Sequence, residues 1–245
     1  MVDFATYTDA GGRRNNEDAL RCARGAEGQL LAVVCDGLGG HDGGEKASAA
    51  AVEAVCAGWS GKTDAEELAA LVRQANLDVL ALQTPQLDCK TTAVVLAVGP
   101  ERAAWAHAGD SRLYHFENGT LAFQTRDHSV AQMSVLLGDI TPDQIRFCED
   151  RSRVLRALGQ DEDLNVDVGA LALAPGRHAF LLCTDGFWEY VLEDEMAEDL
   201  GHATSAADWL ERMRGRLAAR VAQMASDPTH PDNDNNTATA VWLDV

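Results

Sequence analysis

The chain has 245 residues, 46% of them hydrophobic, and its 39 Asp and Glu against 20 Lys and Arg give a formal net charge of −19. This composition excludes a disordered or fibrous protein, and the length suits one large domain covering residues 1–245. The acidic charge disfavours binding to nucleic acid or to an anionic membrane surface, because both need positive charge, and it favours divalent cations.

The spacing of apolar residues predicts strands and helices in separate blocks. In chain order we expect a strand over 30–35, helices over 44–59 and 64–82, strands over 91–98, 102–107, 112–116 and 121–124, a partly helical segment over 129–153, strands over 165–173 and 179–183, a helix within 204–225 and a strand over 237–243. This order lacks regular strand–helix alternation. It favours antiparallel sheets covered by helices, an α+β architecture.

The six cysteines form no C-x-x-C pair, and Cys35 and Cys183 lie in apolar runs. This usage is typical of reduced thiols in a cytoplasmic protein. The first residues lack the basic and apolar regions of a signal peptide, and the longest apolar runs are far shorter than the ~20 residues of a membrane helix.

Three acids stand at the ends of strand-like runs, each beside Gly or Asn: Asp36, Asp185 and Asp234. For any single Asp-Gly an ordinary turn is the alternative. As a set, buried carboxylates need a compensating cation. No His or Cys cluster accompanies them, so oxygen-liking Mg²⁺ or Mn²⁺ is favoured over zinc. The first hypothesis is a metal-dependent hydrolase.

Further strings accompany these acids in a fixed order along nearly the whole chain. They are Arg13-x-x-Asn16-Glu17-Asp18, Asp36-Gly37-Leu38-Gly39-Gly40-His41, Thr91-Thr92-Ala93, Gly109-Asp110-Ser111-Arg112, Asp127-His128-Ser129, Arg156-Ala157-Leu158-Gly159, Thr184-Asp185-Gly186-Phe187-Trp188 and Asp234-Asn235-x-Thr237. Together they make the chain resemble the metal-dependent serine/threonine protein phosphatases of type 2C, in particular the bacterial branch.

The resemblance implies a four-layer αββα sandwich, in which two packed antiparallel sheets are flanked by helices. It places a flap subdomain at roughly 131–150, beside the active site. It also implies two Mn²⁺ or Mg²⁺ ions and a possible third.

The same resemblance assigns metal-binding roles to the acids. Asp36 would bridge the two metals and the Gly37 carbonyl would bind the first of them. Asp185 and Asp234 would complete the second site. The remaining assignments are Asp18 and Glu17 for metal-bound waters and Asp110, with Asp185, for the third ion.

The activity implied is hydrolysis of phosphoserine and phosphothreonine by direct attack of a water activated by the two metals. Arg13 would grip the phosphate, with Arg14 as the alternative. His41 is the candidate general acid. It is displaced from the His that directly follows Asp-Gly in many eukaryotic relatives, so a structural role in the Gly-rich turn is the competing interpretation.

Three other positions are open at this point. His128 is expected to form a local hydrogen bond rather than to donate a proton. Glu189 stands where some relatives carry Asp and would reach a third metal only through water. Lys90 is expected to be a solvated strand-edge charge, with a phosphate contact as the alternative.

The implied partners are phosphoprotein substrates and an opposing Ser/Thr kinase, for a protein expected to be a monomer. Two alternatives to a general protein phosphatase stay open. One is a catalytically silent regulatory or scaffold relative, and the other is the same chemistry on a specialised regulator phosphoprotein.

Overall fold

The computed structural model describes residues 2–39, 43–224 and 233–245. Two five-stranded antiparallel sheets dominate these residues. The first sheet has the strand order β1 (Asp3–Asp9), β12 (Asn236–Asp244), β11 (Arg177–Cys183), β8 (Arg112–Glu117) and β9 (Thr120–Gln124). The second has the order β10 (Asp167–Ala172), β7 (Arg102–Ala108), β6 (Ala93–Val98), β3 (Leu30–Cys35) and β2 (Ala19–Arg24). A short ribbon pairs β4 (Gly37–Leu38) with β5 (Lys90–Thr91).

Helices cover the outer face of each sheet. They are α1 (Gly43–Gly58), α2 (Ala65–Leu82), α3 (Val130–Leu137), α4 (Asp185–Trp188), α5 (Glu193–His202) and α6 (Ala206–Met224), with a 3₁₀ helix at Pro142–Phe147. Asp64 caps α2 by accepting from the Glu67 backbone N–H at 2.9 Å, as expected for an acid at the N-cap.

Three clusters of buried hydrophobic residues lie between the four layers of helices and sheets. The central one lies between the sheets and includes Leu96, Phe180 and Val241. A second packs α1 and α2 on the β2–β10 sheet, and a third packs α4, α5 and α6 on the β1–β9 sheet. Because each sheet is apolar on both faces, each needs a cover on both sides. The predicted αββα sandwich is confirmed.

The predicted strands and helices are observed with ends shifted by a few residues. The 91–98 strand is split, since Lys90–Thr91 pairs with Gly37–Leu38 while Ala93–Val98 joins the main sheet. Strands β1 and β2 and helix α5 were not predicted. The 131–150 segment contains most of α3 and the 3₁₀ helix. No helix among the described residues is long and apolar enough to cross a membrane.

Candidate metal centre

A cleft of about 490 Å³ opens at one edge of the sandwich. It collects side chains from segments far apart in the chain. The lining residues are Arg13, Arg14, Asn15, Glu17, Asp36, Gly37, Leu38, Gly39, Asp110, Ser152, Val154, Asp185, Asp234 and Asn235. The strand-end acids predicted from the sequence therefore converge on one site.

Asp36 lies where β3 leaves the central core. Its backbone N–H donates to Thr92 Oγ1 at 2.9 Å, and its carbonyl accepts from Thr91 Oγ1 and the Thr92 N–H at 2.7 and 2.8 Å. The next residue must be Gly37, since a Cβ there would lie 2.4 Å from the Gly44 carbonyl oxygen. These contacts fix the turn on which Asp36 stands.

Asp185 and Asp234 are brought together by another glycine. A Cβ at Gly186 would lie 2.1 Å from the Asn235 carbonyl oxygen, so only glycine allows these two backbones to approach. Asp185 begins α4 at the end of β11, and Asp234 immediately precedes Asn235 and β12. Because β11 and β12 are paired neighbours, the two carboxylates meet at one sheet edge.

Asp110 reaches the same cleft through the turn between β7 and β8. Gly109 has φ of +111°, and a Cβ there would lie 2.5 Å from Thr92 Cγ2. The Asp110 carbonyl accepts from Trp188 Nε1 at 3.0 Å. Asp110 is almost wholly buried.

These acids raise one another's pKa values. Burial, followed by the charges of Asp18 and Asp185, raises the pKa of Asp36 well above its ordinary range. Burial and the Asp185 charge do the same for Asp110. The pKa of Asp185 rises to about 6, chiefly through burial and then the Asp234 charge. The cleft thus holds more negative charge than its own side chains neutralise.

Asp18 stands beside this cluster. Thr184 Oγ1 donates to its Oδ2 at 2.9 Å, while Oδ1 is buried and has no hydrogen-bond partner. Burial is the main cause that raises the pKa of Asp18 to about 7. The neighbouring Glu17 lines the cleft, and its N–H donates to Asn235 Oδ1 at 2.8 Å.

Two arginines stand at the rim. Arg13 Nη2 lies 2.8 Å from Asp234 Oδ2, and both side chains are about half exposed. Arg14 also lines the cleft and makes no ion pair within the described ranges. A phosphoryl group in the cleft would meet positive charge on this side.

The other positions singled out in the sequence lie elsewhere. His41 falls outside the described residues, so its role stays a prediction. Glu189 pairs with Arg151 at 2.8 Å, and burial followed by the Asp185 charge raises its pKa to about 7. Lys90 pairs with Asp88 at 2.9 Å and does not line the cleft.

His107, His128 and Asp167 place three potential ligand atoms within 4.8 Å of one another. A metal fits this group poorly. The two imidazole rings are stacked, with centroids 4.7 Å apart and planes 10° apart, so their in-plane lone pairs do not converge. The guanidinium of Arg156 already lies 2.9 Å from His128 Nε2 and 2.7 Å from Asp167 Oδ1.

A buried arginine behind the cleft was missed in the sequence. Arg112 binds both carboxylate oxygens of Asp127 at 2.7 and 2.8 Å and lies 3.4 Å over the Trp188 ring. Arg146 binds the Trp188 carbonyl and the Glu193 carboxylate. The strings Asp110-Ser111-Arg112 and Asp127-His128-Ser129 contain the partners, but a bidentate pair 15 residues apart is not visible from spacing.

The sequence is similar to known proteins over most of its length. Residues 11–226 match the family model described as protein phosphatase 2C. The chain is 30% identical over 206 residues to a protein named serine/threonine phosphatase stp from Listeria welshimeri, a match covering 80% of this chain and 81% of that protein.

Solved structures agree with the fold. The Mycobacterium tuberculosis serine/threonine phosphatase PstP/Ppp superposes with a TM-score of 0.84 at 28% identity, covering 100% of this chain and 99% of that one. The catalytic domain of the serine/threonine protein phosphatase PstP, solved with two manganese ions, superposes with a TM-score of 0.80 at 27% identity, covering 99% of each chain.

Proposed function

Because the chain belongs to the protein phosphatase 2C family, we propose that it is a metal-dependent protein serine/threonine phosphatase that hydrolyses phosphoserine and phosphothreonine. Family membership confirms the resemblance predicted from the sequence strings. The observation that carries the proposal is the convergence of Asp36, Asp110, Asp185 and Asp234 in one cleft.

The residues present fit divalent cations. The Asp36 and Asp110 carboxylates have strongly raised pKa values and lack a compensating charge, and the buried Oδ1 of Asp18 lacks a partner. Oxygen-rich sites of this kind suit Mn²⁺ or Mg²⁺. Asp36, the Gly37 carbonyl, Asp185 and Asp234 would hold two ions, with Glu17 and Asp18 contacting bound waters and Asp110 contributing with Asp185 to a third. When bound, such ions supply a nucleophilic water at neutral pH and Lewis-acid stabilisation of phosphoryl oxygens.

The protein's own groups then orient the substrate. Arg13 would bind phosphoryl oxygens through its planar guanidinium, which suits two oxygens at once. Its ion pair with Asp234 keeps it at the cleft rim. Thr184 holds one oxygen of Asp18, so the other oxygen is left to accept a hydrogen bond from a water. Catalysis of this type depends mainly on positioning and electrostatics.

The alternative of a catalytically silent scaffold is less well supported, because such a relative would normally lack one of the cleft carboxylates. Phosphoprotein substrates follow from the proposed activity. Five further points stay predictions: an opposing Ser/Thr kinase, a monomeric state, a cytoplasmic location, a flap at 131–150 and a general acid at His41.

The test is hydrolysis of a phosphothreonine peptide by the purified chain. We expect activity with added Mn²⁺ that is lost with chelator and restored when Mn²⁺ is returned in excess. Asp36→Asn, with circular dichroism as a check on folding, is the matched negative control. Undiminished hydrolysis after complete metal removal would contradict the proposal.

A further inference from the structure

His128 holds the peptide of Gly109 from two sides. Its backbone N–H donates to the Gly109 carbonyl at 2.9 Å, and its Nδ1 accepts from the Gly109 N–H at 3.1 Å. Gly109 has a positive φ and lies against Thr92, so its backbone has little room to move. The residue that follows is Asp110. Whatever fixes Gly109 therefore fixes the point from which the Asp110 carboxylate enters the cleft.

The hydrogen bond from Gly109 decides the tautomer of His128. A backbone N–H is always a donor, so Nδ1 must carry a lone pair and the proton of the neutral ring lies on Nε2. Asp167 Oδ2 lies 3.4 Å from Nε2, so its negative charge faces the nitrogen that carries the proton. Arg156 lies close to the same nitrogen but is held chiefly by Asp167 Oδ1 at 2.7 Å.

The surroundings oppose a second proton on this ring. Burial, followed by the charges of His107 and Arg156, lowers the pKa of His128 to about 4. A second proton would go to Nδ1 and would point at the Gly109 N–H. The stacked ring of His107, whose Nε2 donates to the Arg126 carbonyl at 3.0 Å, fixes the plane of His128.

His128 also joins the Gly109 turn to the segment of the cleft lining that contains Ser152 and Val154. Its carbonyl accepts from the Leu155 N–H at 2.7 Å, and Ser129 forms a β-bridge with Val154. Val154 and Ser152 line the cleft. A shift of His128 would therefore move both Asp110 and this wall.

We propose that His128 is a positioning residue for Asp110. Its neutral imidazole, oriented by Asp167 and His107, holds the Gly109–Asp110 turn so that the Asp110 carboxylate stays in the cleft. The proposal rests on the proposed function, in which Asp110 takes part in metal binding. It assigns His128 a structural link to the metal centre rather than proton transfer.

The test compares His128→Asn with His128→Leu. An asparagine Oδ1 can accept from the Gly109 N–H in place of Nδ1, whereas leucine offers similar bulk without an acceptor. For the leucine variant we expect a loss of about 10- to 100-fold in Mn²⁺ affinity or activity, the size typical for residues that orient metal ligands. The Mn²⁺ affinity and activity of the asparagine variant should stay within about 3-fold of the values for the parent protein.

A second readout does not depend on activity. Amide hydrogen exchange at Gly109, measured by NMR on the metal-free protein, should be at least about 10-fold faster in His128→Leu and near the parent rate in His128→Asn. If the parent protein has no phosphatase activity, the proposed function fails, while this exchange and Mn²⁺ calorimetry still decide the role of His128.

His115→Leu is the matched control. His115 is another buried histidine, bonded to His178 at 3.0 Å in the other sheet. The His115→Leu substitution should lower the free energy of unfolding without changing amide exchange at Gly109 or the Mn²⁺ dependence of activity. Equal effects of the two leucine substitutions would overturn the proposal. Parent-like exchange and Mn²⁺ affinity in His128→Leu would also overturn it.

If neither His128 variant folds, Asp167→Ala keeps the proposal testable, because the Asp167 side chain is about half exposed. Removing the carboxylate that faces Nε2 should raise amide exchange at Gly109 by a few-fold. An unchanged exchange rate in that variant would overturn the proposal.

Discussion

Two charged clusters, one largely buried and one partly buried, lie next to each other in this protein, and they are built in opposite ways. Behind the cleft, Arg112 and Arg146 meet Asp127 and Glu193 in paired, hydrogen-bonded contacts. In the cleft, the acids Asp36, Asp110 and Asp185 crowd together with Asp18 beside them, and all four have raised pKa values. The first cluster neutralises its own charge. The second is left with negative charge that a ligand must neutralise.

The two clusters share a structural element. Trp188 lies under the Arg112 guanidinium on one side and donates through Nε1 to the Asp110 carbonyl on the other. The paired cluster therefore serves as a rigid support for the unpaired one. Burying an unpaired charge costs free energy, so an uncompensated cluster persists only where the surrounding structure enforces it.

The largest expected effect comes from Asp185→Asn. Loss of one negative ligand should lower turnover by about 1,000-fold, since electrostatic stabilisation is the main source of catalysis proposed here. In the metal-free protein the same change should raise the free energy of unfolding by roughly 1–3 kcal/mol, because it removes one repelling charge. Phosphopeptide kinetics and urea unfolding with chelator measure the two effects. An Asp185→Asn variant that is both active and less stable than the parent protein would contradict the view that the cleft acids repel one another and need a bound cation.

Arg112→Met should act in the opposite direction on stability. It leaves Asp127 buried without its partner, which costs about 3–5 kcal/mol in comparable cases. The control is the double variant Arg112→Met with Asp127→Leu, which removes both charges and should recover most of that loss. Urea unfolding measures both. A single variant as stable as the parent would mean that the pair does not support the structure.

Part of the candidate metal centre was predictable because Asp36 and Asp185 come at the ends of buried strands. Asp36 follows an apolar run directly and Asp185 follows one after a single threonine, so the change from apolar residues to Asp-Gly is conspicuous. The assignment of separate roles came from the family resemblance and not from the spacing. Conversely, β1 and β2 were missed because their burial is only partial, and half-exposed strands carry weak apolar patterns.

Contacts across the chain were not predictable in the same way. The bond between Thr184 and Asp18 joins residues 166 positions apart. The stacking of Arg112 on Trp188 depends on how α4 packs behind β8. A sequence shows which residues are unusual, but such pairs arise only when the strand order brings distant segments to one edge.

The rim arginines show how far the acidic cleft depends on nearby positive charge. Arg13→Ala should raise KM for a phosphopeptide by about 10-fold, because a charge-assisted contact to phosphate is lost. The matched control is Arg14→Ala, which we expect to raise KM for the same phosphopeptide by less than about 3-fold. Stability should change little in either variant, since the Arg13–Asp234 pair is exposed. The reverse ranking of the two variants would assign the phosphate contact to Arg14.

The smallest effect is a pH dependence of the metal-free protein. Asp18 has a pKa of about 7 in the folded protein against 3.8 as its ordinary value, chiefly because of burial. Between these values the folded state binds more protons than the unfolded state, so stability should rise as pH falls. From pH 8 to pH 6.5 the gain from Asp18 alone is roughly 1 kcal/mol.

Below this window the buried His115, whose pKa is lowered to about 4 by burial and His178, acts in the opposite direction. The His115 ring binds its second proton more readily in the unfolded state, so its contribution to stability falls as pH drops below about 6.5 and offsets the gain from Asp18. Urea unfolding with chelator, compared with Asp18→Asn, isolates the Asp18 contribution. Saturating Mn²⁺ should reverse the slope between pH 8 and 6.5, because protons then compete with the metal for the same carboxylates. An identical slope in the parent protein and in Asp18→Asn would show that the Asp18 carboxylate does not share in the charge crowding of the cleft.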